Sequence, residues 1–188
     1  MLLTNGSRIV YPSQGPCMVT ATIERLIEGQ PRQFYQLRVL GDGGGDLFIP
    51  VEKIEAVGIR LLLTLCEIPR LMDHLARPTT VADTFRERSH CILKLFASGS
   101  AFDLAEIVGS LTELHTKKPL SFGEHKALEK AKALLVCEVA EVIGSSREAA
   151  LLQVEAALGA RTHLTHGGVA ARRMAPRRNP VRYQTASS

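Results

Sequence analysis

At Val57-Gly58-Ile59-Arg60-Leu61-Leu62-Leu63-Thr64-Leu65 the chain changes its period. Before Arg60, β-branched and apolar residues come in short runs separated by glycine and proline. After it, Leu61, Leu62, Leu65, Ile68, Leu71, Met72 and Leu75 recur at helical spacing. Pro69 falls inside that series and predicts an interruption or a kink. A β-rich opening followed by helices predicts an α+β protein. Its parts would be a small β-barrel over 1–60, an all-α domain over 61–158 and a tail over 159–188.

On the N-terminal side the strands are short. Arg8-Ile9-Val10-Tyr11 is β-prone and ends at Pro12. Cys17–Ile23 follows the turn signal Gly15-Pro16, and Gln33–Val39 follows Glu28-Gly29-Gln30-Pro31. Gly41-Asp42-Gly43-Gly44-Gly45-Asp46 reads as a loop, because glycine accepts positive φ without strain. Leu47–Val51 reads as a fourth strand and Val57–Arg60 as a fifth. Close spacing of such strands predicts a small barrel, with too little core for high stability alone.

On the C-terminal side four [ST]-x-x-[DE] patterns appear: Thr80…Asp83, Ser100…Asp103, Ser121…Glu124 and Ser145…Glu148. In each, the hydroxyl can accept the N3 amide while the acid reaches back to the cap residue's own amide. Gly99 and Gly144 stand where C-terminal caps belong. Helices are therefore predicted near 81–97, 101–115, 122–143 and 146–158. Leu128, Ala131, Leu135, Val139 and Val142 form the core stripe of the third.

Charge is unevenly distributed. The net charge is +4, yet residues 159–188 hold six arginines and no acid. The remainder carries 17 basic and 19 acidic side chains. Beyond Gly159 the composition turns to Gly, Pro, Arg, Ser and Thr, which predicts a disordered basic tail suited to a polyanion such as nucleic acid. No apolar run has the length of a membrane span, and Met1-Leu2-Leu3-Thr4-Asn5 lacks the pattern of a signal peptide. A cytoplasmic, nucleoid-associated protein with no membrane partner is the expectation.

Catalytic and cofactor motifs are missing from the sequence. It has no P-loop, no GxGxxG after a strand, no HExxH and no GxSxG. The six histidines are scattered, and Cys17, Cys66, Cys91 and Cys137 form no CxxC pair. The expectation is therefore no enzyme activity, no catalytic residue, no cofactor and no metal, with cysteines serving as packing or idle thiols. One stretch is suggestive of nucleic acid. On the predicted 81–97 helix, Phe85 precedes Arg86, Arg88, His90 and Lys94, of which Arg86, His90 and Lys94 share a face. A basic face with an aromatic at its margin can hold phosphates while the ring wedges against an unstacked base. Lys126, Lys130 and Lys132 add positive charge on the 122–143 helix. A solvated face and a core phenylalanine would leave the same pattern.

Several motifs, in order, resemble the CarD/CdnL family of bacterial regulators. Ile9-Val10-Tyr11-Pro12-Ser13-Gln14-Gly15 is similar to that family's opening signature, and Phe34-Tyr35-Gln36-Leu37 to its central strand. Ile49-Pro50-Val51 with Val57-Gly58-Ile59-Arg60 resembles its closing strands. Ala97-Ser98-Gly99-Ser100 and Leu120-Ser121-Phe122-Gly123-Glu124 match family stretches in the helices. The resemblance covers about residues 5–158. It implies a Tudor-like barrel that docks on the β subunit of RNA polymerase, a module shared with transcription-repair coupling factors. It also implies a helical part that contacts promoter DNA at the upstream bubble edge and stabilises the open complex. A monomer is expected. Carried over by position, Arg25, Ile27, Phe48 and Pro50 fall on the polymerase-binding surface, Phe48 standing where some members have an arginine. Phe85, Arg86, Arg88, His90, Lys126, Lys130 and Lys132 fall on the DNA-binding surface. Phe85 stands where the family has a wedging tryptophan, which this chain lacks altogether, and Glu87 where basic residues are common. An architectural DNA-binding protein that uses its basic tail and ignores polymerase is the alternative reading.

Overall fold

The β-zone forms one antiparallel sheet whose core follows from alternation along its central strands. The computed structural model describes residues 2–12, 14–41, 44–79, 82 and 84–171, with side chains as far as Arg161. Strands β1 (Arg8–Tyr11), β2 (Gly15–Ile27), β3 (Gln30–Val39), β4 (Asp46–Pro50) and β5 (Arg60–Leu61) lie in the order β4-β3-β2-β1-β5. Val19 pairs with Leu37 and Tyr35 with Ile49, and all four are buried on one face. Ile9, Cys17, Ile54 and Ile59 complete that core, and the Tyr35 hydroxyl accepts a hydrogen bond from the Leu3 amide at 3.2 Å. A register shift between Val19 and Ala21 inserts one residue. Its effect is to turn Ala21, Ile23, Arg25 and Ile27 to the outer face, opposite the core.

The sheet is open, not the closed barrel expected from the sequence. Its edges, β4 and β5, do not pair among the described residues. Where closure would occur, a 3-10 turn (Val51–Lys53) and the one-turn helix α1 (Ile54–Val57) intervene. Gly58 ends α1 with φ +79°, which leaves a fifth strand of only two residues, shorter and later than the expected 57–60.

The helical zone contains α2 (Ile68–Ala76), α3 (Phe85–Ser98), α4 (Ala101–Lys117), α5 (Phe122–Ile143) and α6 (Arg147–Ala171). Its core joins Leu71 and Leu75 of α2, Ile107 and Leu111 of α4, Leu135 and Val139 of α5, and Val154 of α6. Pro69 opens α2 rather than breaking it, because a first-turn residue has no helical partner for an amide anyway. Ahead of it, a Thr64–Glu67 capping box holds a 3-10 turn (Leu65–Glu67).

Of the four predicted capping boxes, Ser121–Glu124 forms as expected. Thr80 and Asp83 lie outside the described residues, and α3 is instead capped by Thr84, whose hydroxyl accepts the Glu87 amide at 3.2 Å. At α6 the cap is Ser146, one residue later than expected, which accepts the Ala149 amide. Ser100 sits at the start of α4, but Asp103 bonds Ser98 instead. The predicted end of the last helix at 158 is also corrected, since α6 runs on to Ala171. Arg161 lies buried against Gly109 of α4, where a Cβ would overlap its guanidinium, and it donates to the Arg77 carbonyl. The remainder of the predicted disordered tail, 172–188, lies outside the described residues.

Two ion pairs with buried carboxylates set the geometry. Arg60 of β5 meets Glu138 of α5 through two hydrogen bonds of 2.7 and 2.8 Å, and donates from Nε to the Gly99 carbonyl at 2.8 Å. Glu138 is 1% exposed and also accepts the Leu63 amide. Around this pair the halves are closely fitted. Gly15, at φ +87°, leaves 2.9 Å between an added Cβ and Leu134, and Gly99 packs against Pro12. Arg147 donates to the Leu40 carbonyl at 2.7 Å, and Arg8 pairs with Glu141 at 3.1 Å. The second pair, Arg88–Glu124 at 2.8 Å, ties the first turn of α3 to the first turn of α5. Burial raises the Glu124 carboxyl, but hydrogen bonds from the Ser121 amide and hydroxyl, with the Arg88 guanidinium, outweigh it and hold the group below its ordinary value.

Removing one partner of a buried pair leaves an uncompensated charge, so Arg60→Ala should destabilise the protein by about 3–5 kcal/mol, as read by urea denaturation. A change within the range of a surface substitution would show that the pair does not hold the halves together. Because Glu124 titrates below its ordinary value of 4.5, its stabilisation is complete above that pH and fades as pH falls through the folded-state value. In Glu124→Gln the acid-side fall in denaturation midpoint should therefore shrink. An unchanged acid limb would sink that assignment.

Candidate polymerase-facing and nucleic-acid-facing surfaces

Register decides where the first group of candidate residues goes. Ala21 pairs with Gln36 and Gln36 with Phe48, while Ile23 pairs with Phe34 and Phe34 with Pro50. Side chains of paired residues share a face. Arg25, Ile27, Phe48 and Pro50 therefore converge on the outer face of the sheet. The Arg25 guanidinium lies 4.1 Å from the centre of the Phe48 ring. A planar cation stacked on an aromatic keeps its charge outward while losing rotamer freedom. Phe48 thus orients Arg25 on this face. Ile27 extends this exposed surface toward the hairpin end, and Leu26 is exposed on the opposite side of the strand.

The second group splits. Arg86, His90 and Lys94 are exposed on α3, as their spacing predicts. Phe85 is the first residue of α3 and is 55% exposed, so it is not the core phenylalanine of the simpler reading. Arg88 lies off the face shared by Arg86, His90 and Lys94, as its spacing implies. It is 6% exposed, with its guanidinium on Glu124 and on the Ala82 carbonyl, and it points inward because the α3–α5 contact buries that side of the helix. Lys132 is also set apart, pairing at 2.8 Å with Glu155 of α6 on another flank. Lys130 stays on the α3 side, and Lys126 lies beside Phe122 at the start of α5. The Lys126 ammonium is 4.6 Å from the centre of the Phe122 ring, and that of Lys130 is 5.6 Å from the ring of Phe96 in α3.

These contacts also give the helix directions. Arg88 meets Glu124 near both helix starts, and Phe96 meets Lys130 further along both. Helices α3 and α5 therefore run parallel, with their N-termini side by side. Phe85, Arg86, His90, Lys126 and Lys130 are gathered on this parallel pair. The arrangement can neutralise phosphates and offer a flat ring to a base. Two residues of this surface were not anticipated. Glu124 organises it from below, and its capping pattern was the available signal. Phe122 stands at the first position of α5, a place that the same pattern dictates.

Glu124 and Glu138 are the buried carboxylates among the described residues. Among the described residues, no group of three His, Cys, Asp or Glu side chains is arranged to hold a metal ion. No helix is long and apolar enough to cross a membrane, again among those residues. The four cysteines, all within the described residues, are not joined in disulfides. Cys17 and Cys137 are buried, and burial pushes the Cys17 thiol up to about 11.

Comparison with known proteins covers both halves. Residues 3–62 match the family model described as the CarD-like/TRCF RID domain, and residues 71–155 match the CarD C-terminal domain. YdeB of Bacillus subtilis (strain 168), inferred to be a transcription factor, is 25% identical over 142 residues, covering 74% of this chain and 91% of YdeB. The solution NMR structure of the 72-residue N-terminal domain of Myxococcus xanthus CarD is 36% identical, covering 31% of this chain and 77% of that domain, with a TM-score of 0.27. With its sheet matching one CarD model and its helices the other, in the same order, the chain belongs to the CarD/CdnL family of transcription regulators.

Proposed function

We propose that this protein docks on the β subunit of RNA polymerase through the outer face of its sheet and stabilises the open promoter complex through the α3–α5 surface. Arg25, held on Phe48, is the anchor of docking, with Ile27 and Pro50 beside it. Phe85, Arg86, His90, Lys126 and Lys130 meet DNA at the upstream edge of the bubble. The observation that carries this reading is the fit between the halves. Arg60–Glu138, Gly15 against Leu134 and Gly99 against Pro12 join two separate exposed surfaces into one body. A protein seated on polymerase by one surface then holds the other at a set position over the DNA. Contacts made only to unpaired DNA shift the population toward the open complex by their differential free energy, with no covalent step. Arg88 and Lys132 have no direct DNA role in this reading, because their charges are engaged within the fold.

The alternative, an architectural DNA-binding protein, draws on the arginine-rich 159–188 segment. It leaves the stacked Arg25–Phe48 pair without a role. Truncation to isolate that segment should be made after Ala171, since a cut at 158 removes buried Arg161.

Co-elution with the host RNA polymerase tests the proposal directly. The wild-type chain should bind, and Arg25→Glu should weaken binding at least about tenfold, as reversal of an anchoring charge does. Wild-type protein that ignores polymerase yet shifts duplex DNA would transfer the function to the architectural reading.

A further inference from the structure

We propose that Phe122 is a second base-stacking site, beside Phe85, for unpaired DNA at a duplex edge. The inference rests on the DNA-contacting role given above to α3 and α5 and assigns a residue to it. Isolated exposed apolar side chains are common and mean little. Phe122 differs in four ways. Its ring is 76% exposed, with the Lys126 ammonium 4.6 Å from its centre. Its backbone is held by the reciprocal Ser121–Glu124 cap, as that of Phe85 is by Thr84 and Glu87. It occupies the first position of α5, as Phe85 occupies the first position of α3. The buried Arg88–Glu124 pair sets those two helix starts side by side.

Charge around the two rings selects the occupant. Lys126 lies on the Phe122 ring and Lys130 is exposed two turns along α5, while Arg86 and His90 are exposed on α3. Of the nearby acids, Glu87 is turned onto Thr84, and Glu124 onto Ser121 and Arg88. Glu129, two turns along α5, is exposed, as is Glu87 beside its cap partner. Aromatic faces interleaved with cations suit a strand whose bases are free to stack and whose phosphates need neutralising. Intact duplex offers the phosphates without the bases. The Phe122 site therefore discriminates open from closed DNA, while Lys126 serves both. Two phenylalanines on a rigid base would also make up the stacking area that one tryptophan would supply.

The test uses the full-length chain and two DNA probes, a blunt duplex and the same duplex with a short unpaired arm carrying 2-aminopurine. Wild type should prefer the forked probe and quench or shift the 2-aminopurine signal. Phe122→Ala should lose about tenfold in affinity for the fork and keep its duplex affinity, while Phe122→Trp should retain the preference. Lys126→Ala should weaken both probes and reduce the salt slope by about one. Thermal melts check that the exposed Phe122 variants remain folded. Unchanged fork binding in Phe122→Ala, or equal losses on both probes, overturns the proposal. If Phe85→Ala abolishes the preference and Phe122→Ala does not, the α3–α5 reading survives and only this site fails. A wild type with no fork preference sinks both.

Discussion

The rest of the molecule depends on a carboxylate placed where water cannot reach it. Glu138 lies on α5 beneath the sheet and has to be neutralised by something outside the helices. Arg60, at the last strand, supplies a matched fork, and its remaining nitrogen satisfies the carbonyl that ends α3. One side chain thus settles the sheet edge, the end of α3 and the middle of α5 together. A planar guanidinium does this far better than a lysine could, because three of its donors are fixed relative to one another. Steric fit then reinforces the electrostatics. Gly15 and Gly99 are close-approach positions, each with positive φ, where the loop after β1 meets the helices.

Much of this was legible in the sequence. The change of period at residues 57–65 separates the two halves, and the α5 boundaries follow from Ser121 and Gly144. What was not legible has physical causes. The one-residue bulge in β2 depends on local backbone accommodation, and it decides that Arg25 faces outward with Phe48. Arg88 was placed on the DNA-binding surface by the family resemblance, although helical spacing sets it off the face of Arg86, His90 and Lys94, and the fold buries it on Glu124. The cap of α3 was misplaced because two hydroxyl residues, Thr80 and Thr84, each precede an acid three positions on. Gly159 suggested an end to structure, yet α6 continues through it, anchored by Arg161.

The pairing of α3 with α5 shows how a surface can be organised from its underside. Helices crossing by apolar packing alone can slide by fractions of a turn. A buried, hydrogen-bonded ion pair near their starts permits one register. Both partners are also tied to the helix ends, Glu124 through Ser121 and Arg88 through the Ala82 carbonyl. Exposed residues on the first turns consequently inherit a defined spacing, although they do not touch one another to obtain it.

The fit between the halves has a consequence for how such chains can diversify. Judged by family models, the sheet and the helices are separate units, divided between residues 62 and 71. Physically they are not interchangeable parts. Arg60 lies in the first unit and its buried carboxylate partner Glu138 in the second, and the same is true of Gly15 and Leu134. A recombinant that borrowed either half from a distant relative would bring a mismatched seam, even with each half folded correctly. New variants of this architecture would therefore arise most readily by change on the outer faces, while the seam passes from parent to descendant as a single block.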